Sequence, residues 1–230
     1  MLAILTCFLF MDHLLFEAEA QQPNRYPVVV DYRTEPTDSA RLVAEFGQHK
    51  QLPEGYELQA LLALSHYPEL RHAKVSFRQG DYLIPLASRP TLGSIFIPFK
   101  KMHYVVYIST GGMKVTEPIL LKNLPYNAQI GVLGHELAHT AYYLDKSKLQ
   151  MLGIGFRYFS GKFRKQFERA TDQRAIEHGL GFQMLEWSDV TRKAMGGQMG
   201  DVGDSYYTPQ EVKDAMRKLP MYAPFAEMLK

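Results

Sequence analysis

The chain has 230 residues, 46% of them hydrophobic, a formal charge of +2 and a single cysteine, Cys7. That length and apolar content suffice for one sizeable core. The mild charge does not announce a nucleic-acid partner, and one cysteine excludes a disulfide framework.

The first twenty residues stand apart. Leu2 to Met11 is an apolar run, continued by Leu14, Leu15 and Phe16 and closed by Ala18-Glu19-Ala20, an A-x-A pattern ahead of polar Gln21 and Gln22. The run is short of the roughly 20 residues a membrane helix needs, so residues 1–20 read as a secretory signal peptide cut after Ala20. A buried N-terminal helix or a short anchor is the alternative. Cleavage would leave a mature, secreted or periplasmic chain that is more basic and has no cysteine, so any metal must be held by histidine and carboxylate.

No repeat or low-complexity tract divides the remainder, and residues 21–230 are expected to form one domain. Residues 21–72 read as an arm and two helices. Pro23, Pro27 and Pro36 around Val28 to Val30 suit an extended arm or edge strand. Thr37-Asp38-Ser39 can cap a helix running to about Gly47, and Glu54 to His66 suits a second, with Leu58, Leu61, Leu62 and Leu64 inward. Over residues 73–110 the pattern becomes strands: Val75–Phe77, Tyr82–Pro85, Ser94–Ile97 and Tyr104–Ser109 are β-branched or aromatic runs separated by turn residues. An exposed edge among them would be able to pair with an extended peptide.

Residues 123–195 carry the chemistry. Asn123-Leu124-Pro125 is suited to starting a helix from Asn127 to Leu144, and Ile130, Val132, Leu133, Leu137, Ala138 and Ala141 make that helix apolar nearly all round, as in a buried one. Within it lies His135-Glu136-Leu137-Ala138-His139. Residues four apart share a helix face, so His135 and His139 can direct two imidazoles at one Zn2+ while Glu136 stands beside them as a base. No third histidine follows at short spacing. The next helices are expected over Ser147–Phe159 and, after a break at Ser160-Gly161, over Lys162–His178 up to Gly179. On the latter, Glu168 and Asp172 are four apart. Glu168 would be the anionic third ligand, leaving a position for water and substrate, and Asp172 would accept the N–H of a ligand histidine. Glu177 points to the opposite side of that helix. For stabilising an oxyanion, residue type offers only Tyr206, Tyr207 and His178.

Phe156 to Phe167 interleaves aromatics with Arg157, Lys162, Arg164 and Lys165, compatible with peripheral contact to an anionic membrane. The plainer reading packs Phe163 and Phe167 inward and leaves the basic residues solvated. A helix around Phe182 to Met195 follows, then residues 196–230: a glycine-rich passage to Gly203 and a last helix begun by Thr208-Pro209-Gln210-Glu211 and ending before Pro220.

The HExxH sequence followed by Glu168-x-x-x-Asp172 resembles the gluzincin zinc metallopeptidases. The run from Val105 to His139 looks most like the M48-type peptidases, and the likeness spans roughly Tyr104 to Gly179. It implies an α+β, zincin-like fold, a small sheet packed on the HExxH helix and its glutamate-bearing partner. It also implies hydrolysis of a peptide or protein substrate at Zn2+ held by His135, His139 and Glu168, with Glu136 as general base. A zinc-bearing module that binds peptides or membranes without cleaving them, and a zinc hydrolase of a non-peptide amide, are the alternatives.

Overall fold

The computed structural model describes residues 26–96, 101–196 and 203–230. The expected signal peptide and most of the Gly196–Gly203 passage lie outside them. Helix α1, Ser39–Phe46, is capped by Asp38, whose carboxylate accepts from Arg41 N at 2.9 Å, and it buries Leu42 and Phe46. A two-residue strand β1, Lys50–Gln51, leads into α2, Glu57–Ser65, which is shorter than expected and buries Ala60 to Leu64.

Strand β2, Lys74–Gly80, is followed by β3, Leu86–Pro90, a short helix α3, Leu92–Phe96, and β4, His103–Ser109. The sheet order is β1-β2-β4-β3, with the first three strands parallel and β3 antiparallel to β4. Two segments expected as strands fold otherwise. Tyr82 to Pro85 is a bend held by the Ser109 hydroxyl, which accepts from Tyr82 N at 3.1 Å and donates to Tyr82 O at 2.8 Å, and its Leu83 and Ile84 face solvent. Ser94 to Phe96 belongs to α3 because Thr91 turns the chain, its carbonyl accepting from the backbone N–H of both Ser94 and Ile95. Pairing with β4, rather than β-branched composition, decides which residues form the strand.

Helix α4, Tyr126–Leu144, starts after Pro125 and runs through the middle of the molecule, packed on α2, β3 and two later helices. Nearly every residue from Asn127 to Ala141 is buried. The buried amides near its start are engaged. Asn127 Oδ1 accepts from Tyr32 N at 3.0 Å, and Gln129 Nε2 donates to the carbonyls of Leu121 and Leu124 at 3.0 and 3.1 Å. A Ser147–Gln150 capping box opens α5, Lys148–Arg157, and α6, Gly161–Ala175, follows.

One π-helical turn, Ile176–Leu180, joins α6 to α7, Gly181–Met195. Gly179 has φ +89°, and a Cβ there would lie 2.2 Å from Pro27 O, so the turn admits no side chain. The turn is braced from two sides. His66 Nδ1 donates to His178 O at 2.6 Å, while Tyr222 OH accepts from Gly181 N at 2.8 Å and donates to Ile176 O at 2.7 Å. The last elements are α8, Pro209–Arg217, begun by the expected Thr208–Glu211 capping box, and a 3₁₀ stretch, Pro220–Leu229. Among the described residues the fold is thus α+β, with a four-stranded mixed sheet and eight α-helices.

Candidate metal centre

Helix α6 turns one face to α4, and the residues buried on it are Phe167, Glu168, Thr171, Asp172 and Ala175. That face brings Glu168 Oε2 to 3.1 Å from His135 Nε2 and 3.2 Å from His139 Nε2. The ligating atoms of the three residues lie within 4.8 Å of one another, and all three side chains are buried. Tetrahedral bonds of about 2.0–2.1 Å to zinc put ligand atoms roughly 3.3 Å apart, close to the spacing found.

The hydrogen bonds behind the histidines sharpen the fit. Asp172 Oδ1 lies 2.9 Å from His135 Nδ1, and Asp172 Oδ2 accepts from Tyr207 N at 2.7 Å. The Thr171 hydroxyl donates to Phe167 O at 2.9 Å, so toward His139 Nδ1, at 3.2 Å, it acts as acceptor. Both rings therefore carry hydrogen on Nδ1 and, when neutral, aim an Nε2 lone pair at the oxygen of Glu168. Three acceptors facing one point require a cation between them. A proton meets that need in the bare protein. Burial opposes charge on His135, but its bonds to Asp172 and Glu168 and their charges outweigh that, and its pKa is raised to about 10. Burial also works against ionisation of Glu168, yet the two histidines hold its carboxyl well below the usual range. No known family, curated protein or solved structure matches this chain. The residues alone carry the reading.

Glu136 sits beside this cluster. Its Oε2 is buried and without a hydrogen-bond partner, and its pKa is raised, chiefly by burial and partly by Glu168, against the pull of the two histidines and a backbone hydrogen bond from Ser88. Ser88 lies on β3, and its hydroxyl is 2.8 Å from Thr140 Oγ1 on α4. Bonds from Thr91 N to His103 O and from Ser109 N to Pro85 O set the alternation along β3, so the backbone groups of Leu86 and Ser88 face away from β4, along the outer edge of the sheet.

The three residues considered for an oxyanion separate cleanly. His178 is engaged elsewhere, its ring between Tyr26 and Tyr67 at 4.4 and 4.6 Å and its Nε2 2.8 Å from Glu69. Tyr207 supports Asp172 through its backbone and lies under Arg169 at 4.6 Å. Tyr206 alone turns to the cluster: its ring is 5.6 Å from that of His135, and burial, followed by the charges of Glu168 and neighbouring groups, keeps its hydroxyl protonated. Two partners had no reading in sequence. Tyr158, at the end of α5, donates a short hydrogen bond to Glu168 Oε1, a contact made across a turn and invisible to local periodicity. Thr171 was within reach, since it stands three residues after Glu168 on the same helical face.

Proposed function

We propose that this protein is a zinc-dependent endopeptidase of gluzincin type that acts outside the cytoplasm. The observation that carries the reading is the convergence of two Nε2 lone pairs and a carboxylate on one point beside a buried carboxylate oxygen, Glu136 Oε2, that has no partner. An unpartnered buried oxygen costs about 1–3 kcal/mol, a cost that makes sense for a group kept to exchange a proton with a reactant.

Zinc, when bound, supplies a Lewis acid that activates water and polarises a carbonyl. The residues present divide the remaining tasks. Glu136, whose pKa is raised chiefly by burial, takes a proton from the attacking water and returns it to the leaving amine. Asp172 and Thr171 hold the two rings in the tautomer that leaves Nε2 free, and Tyr207 N fixes Asp172. The Tyr206 hydroxyl is the donor available to a developing oxyanion. The outward backbone groups of Leu86 on β3 give an extended peptide an edge to pair with next to Glu136, which favours a peptide over a compact amide.

The test compares wild type with Glu136→Gln. Both should bind one zinc per chain, and the variant should lose about 10²–10⁴-fold in hydrolysis of a peptide library, the range general acid–base catalysis contributes. Wild-type activity in the variant would end this reading. Saturable peptide binding with no zinc-dependent cleavage by the wild type would replace it with the binding module.

A further inference from the structure

Helix α5 is amphipathic in an unusual sense. Its inner side is apolar, with Met151 buried and Ile154 packed on the core. Its outer stripe, Leu149, Gly153 and Phe156 at i, i+4 and i+7, carries no charge either, and Leu149 and Phe156 are 79% and 77% exposed. Phe159, one turn on, is 88% exposed, and α3 packs beside α5 with Leu92 and Phe96 also open to solvent. Exposed apolar side chains gathered on adjoining elements mark an interaction surface.

The chain that forms this surface is rich in basic residues. From Lys146 to Phe167 the chain has six basic residues, Lys146, Lys148, Arg157, Lys162, Arg164 and Lys165, and no acidic one. Arg157 lies over the Phe163 ring at 4.2 Å, and Lys162 and Lys165 are exposed. Phe163 and Phe167 stack on each other at 5.7 Å, so the inward packing expected of them holds while Phe156 and Phe159 stay outside.

We propose that α5 and the turn from Phe156 to Phe159 seat the protein on the surface of an anionic lipid bilayer. Leu149, Phe156 and Phe159 enter the headgroup boundary and the surrounding lysines and arginines meet the lipid phosphates. A nucleic acid would satisfy the charges but leave these apolar side chains in water. Tyr158, between the two phenylalanines, bonds to Glu168, so the seated face adjoins the metal cluster. Seating does not depend on the zinc reading, because binding is measured without turnover.

The experiment is flotation of the purified protein with vesicles of phosphatidylcholine alone or with about 30% phosphatidylglycerol, at about 0.1 and 0.5 M salt. Wild type should partition onto the anionic vesicles at least about tenfold more than onto the neutral ones, and high salt should weaken it. Gly153→Glu places a charge in the stripe where a Cβ meets no atom within 4 Å, so the fold tolerates it. That variant and the pair Phe156→Ser with Phe159→Ser should each lower partitioning at least about tenfold, with unchanged circular dichroism. Failure of wild type to float with anionic vesicles, or wild-type flotation by both variants, overturns the proposal. So does a vesicle-free dimer that Gly153→Glu dissociates, which would assign the face to a second copy of the chain.

Discussion

Glu168 Oε2 is the residue-scale centre of the molecule, shared by two imidazoles at 3.1 and 3.2 Å. In the metal-free protein the raised pKa of His135, about 10 against 6.5, contributes stability that is fully present below about pH 6.5 and is lost as pH rises through about 10. Zinc needs the neutral ring, so metal binding has to expel that proton. Zinc affinity should therefore rise about tenfold per pH unit between pH 7 and 9, with close to one proton released per metal, as read by calorimetry in buffers of different ionisation enthalpy. An affinity flat over that interval would mean that His135 is neutral without metal. His135 with His139 and Glu168 with Asp172 were readable because each pair sits one helical turn apart, and Glu136 because it adjoins His135. Tyr158 was not, because only the path of the α5–α6 turn brings it to Glu168.

At the scale of elements, the crossing of α4 and α7 places the histidines. Gly131 lies at that crossing, and a Cβ on it would fall 2.4 Å from Gln183 O and 2.6 Å from Gln183 C, both backbone atoms that cannot swing aside. Gly131→Ala should cost about 1–3 kcal/mol or more by overpacking, seen as a fall of several degrees in Tm. An unchanged Tm would show that the two helices separate freely. Gly134→Ala meets only the end of the Leu180 side chain and should be milder. Helix placement followed from apolar periodicity and capping residues, as with Asp38, Ser147 and Thr208. The strands were less readable. Lys50–Gln51 is polar and carries no hydrophobic signal, while Tyr82–Pro85 has the composition of a strand but reaches β4 by a backbone bond only at Pro85.

Over the whole molecule, the cluster joins α4 to α6 and, through Asp172, to the segment that precedes α8. Metal should therefore stabilise the fold globally. At about 100 times its dissociation constant, zinc should add roughly 2.7 kcal/mol to unfolding, and chelation should remove it. Glu168→Gln should abolish most of that gain, as followed by thermal melts with and without chelator; an undiminished gain would place zinc elsewhere. The α+β class was accessible from the change of pattern at about residue 73. The strand order was not, because β3 reaches the outer side of β4 by a path that no local residue specifies. The bracing of the π-turn by Tyr222 has a consequence for synthesis. His135, His139 and Glu168 are all made before Tyr207 and Tyr222, the residues that anchor Asp172 and the α6–α7 junction. A nascent chain thus carries His135, His139 and Glu168 well before it can hold them in register, and the cluster is completed only with the final elements.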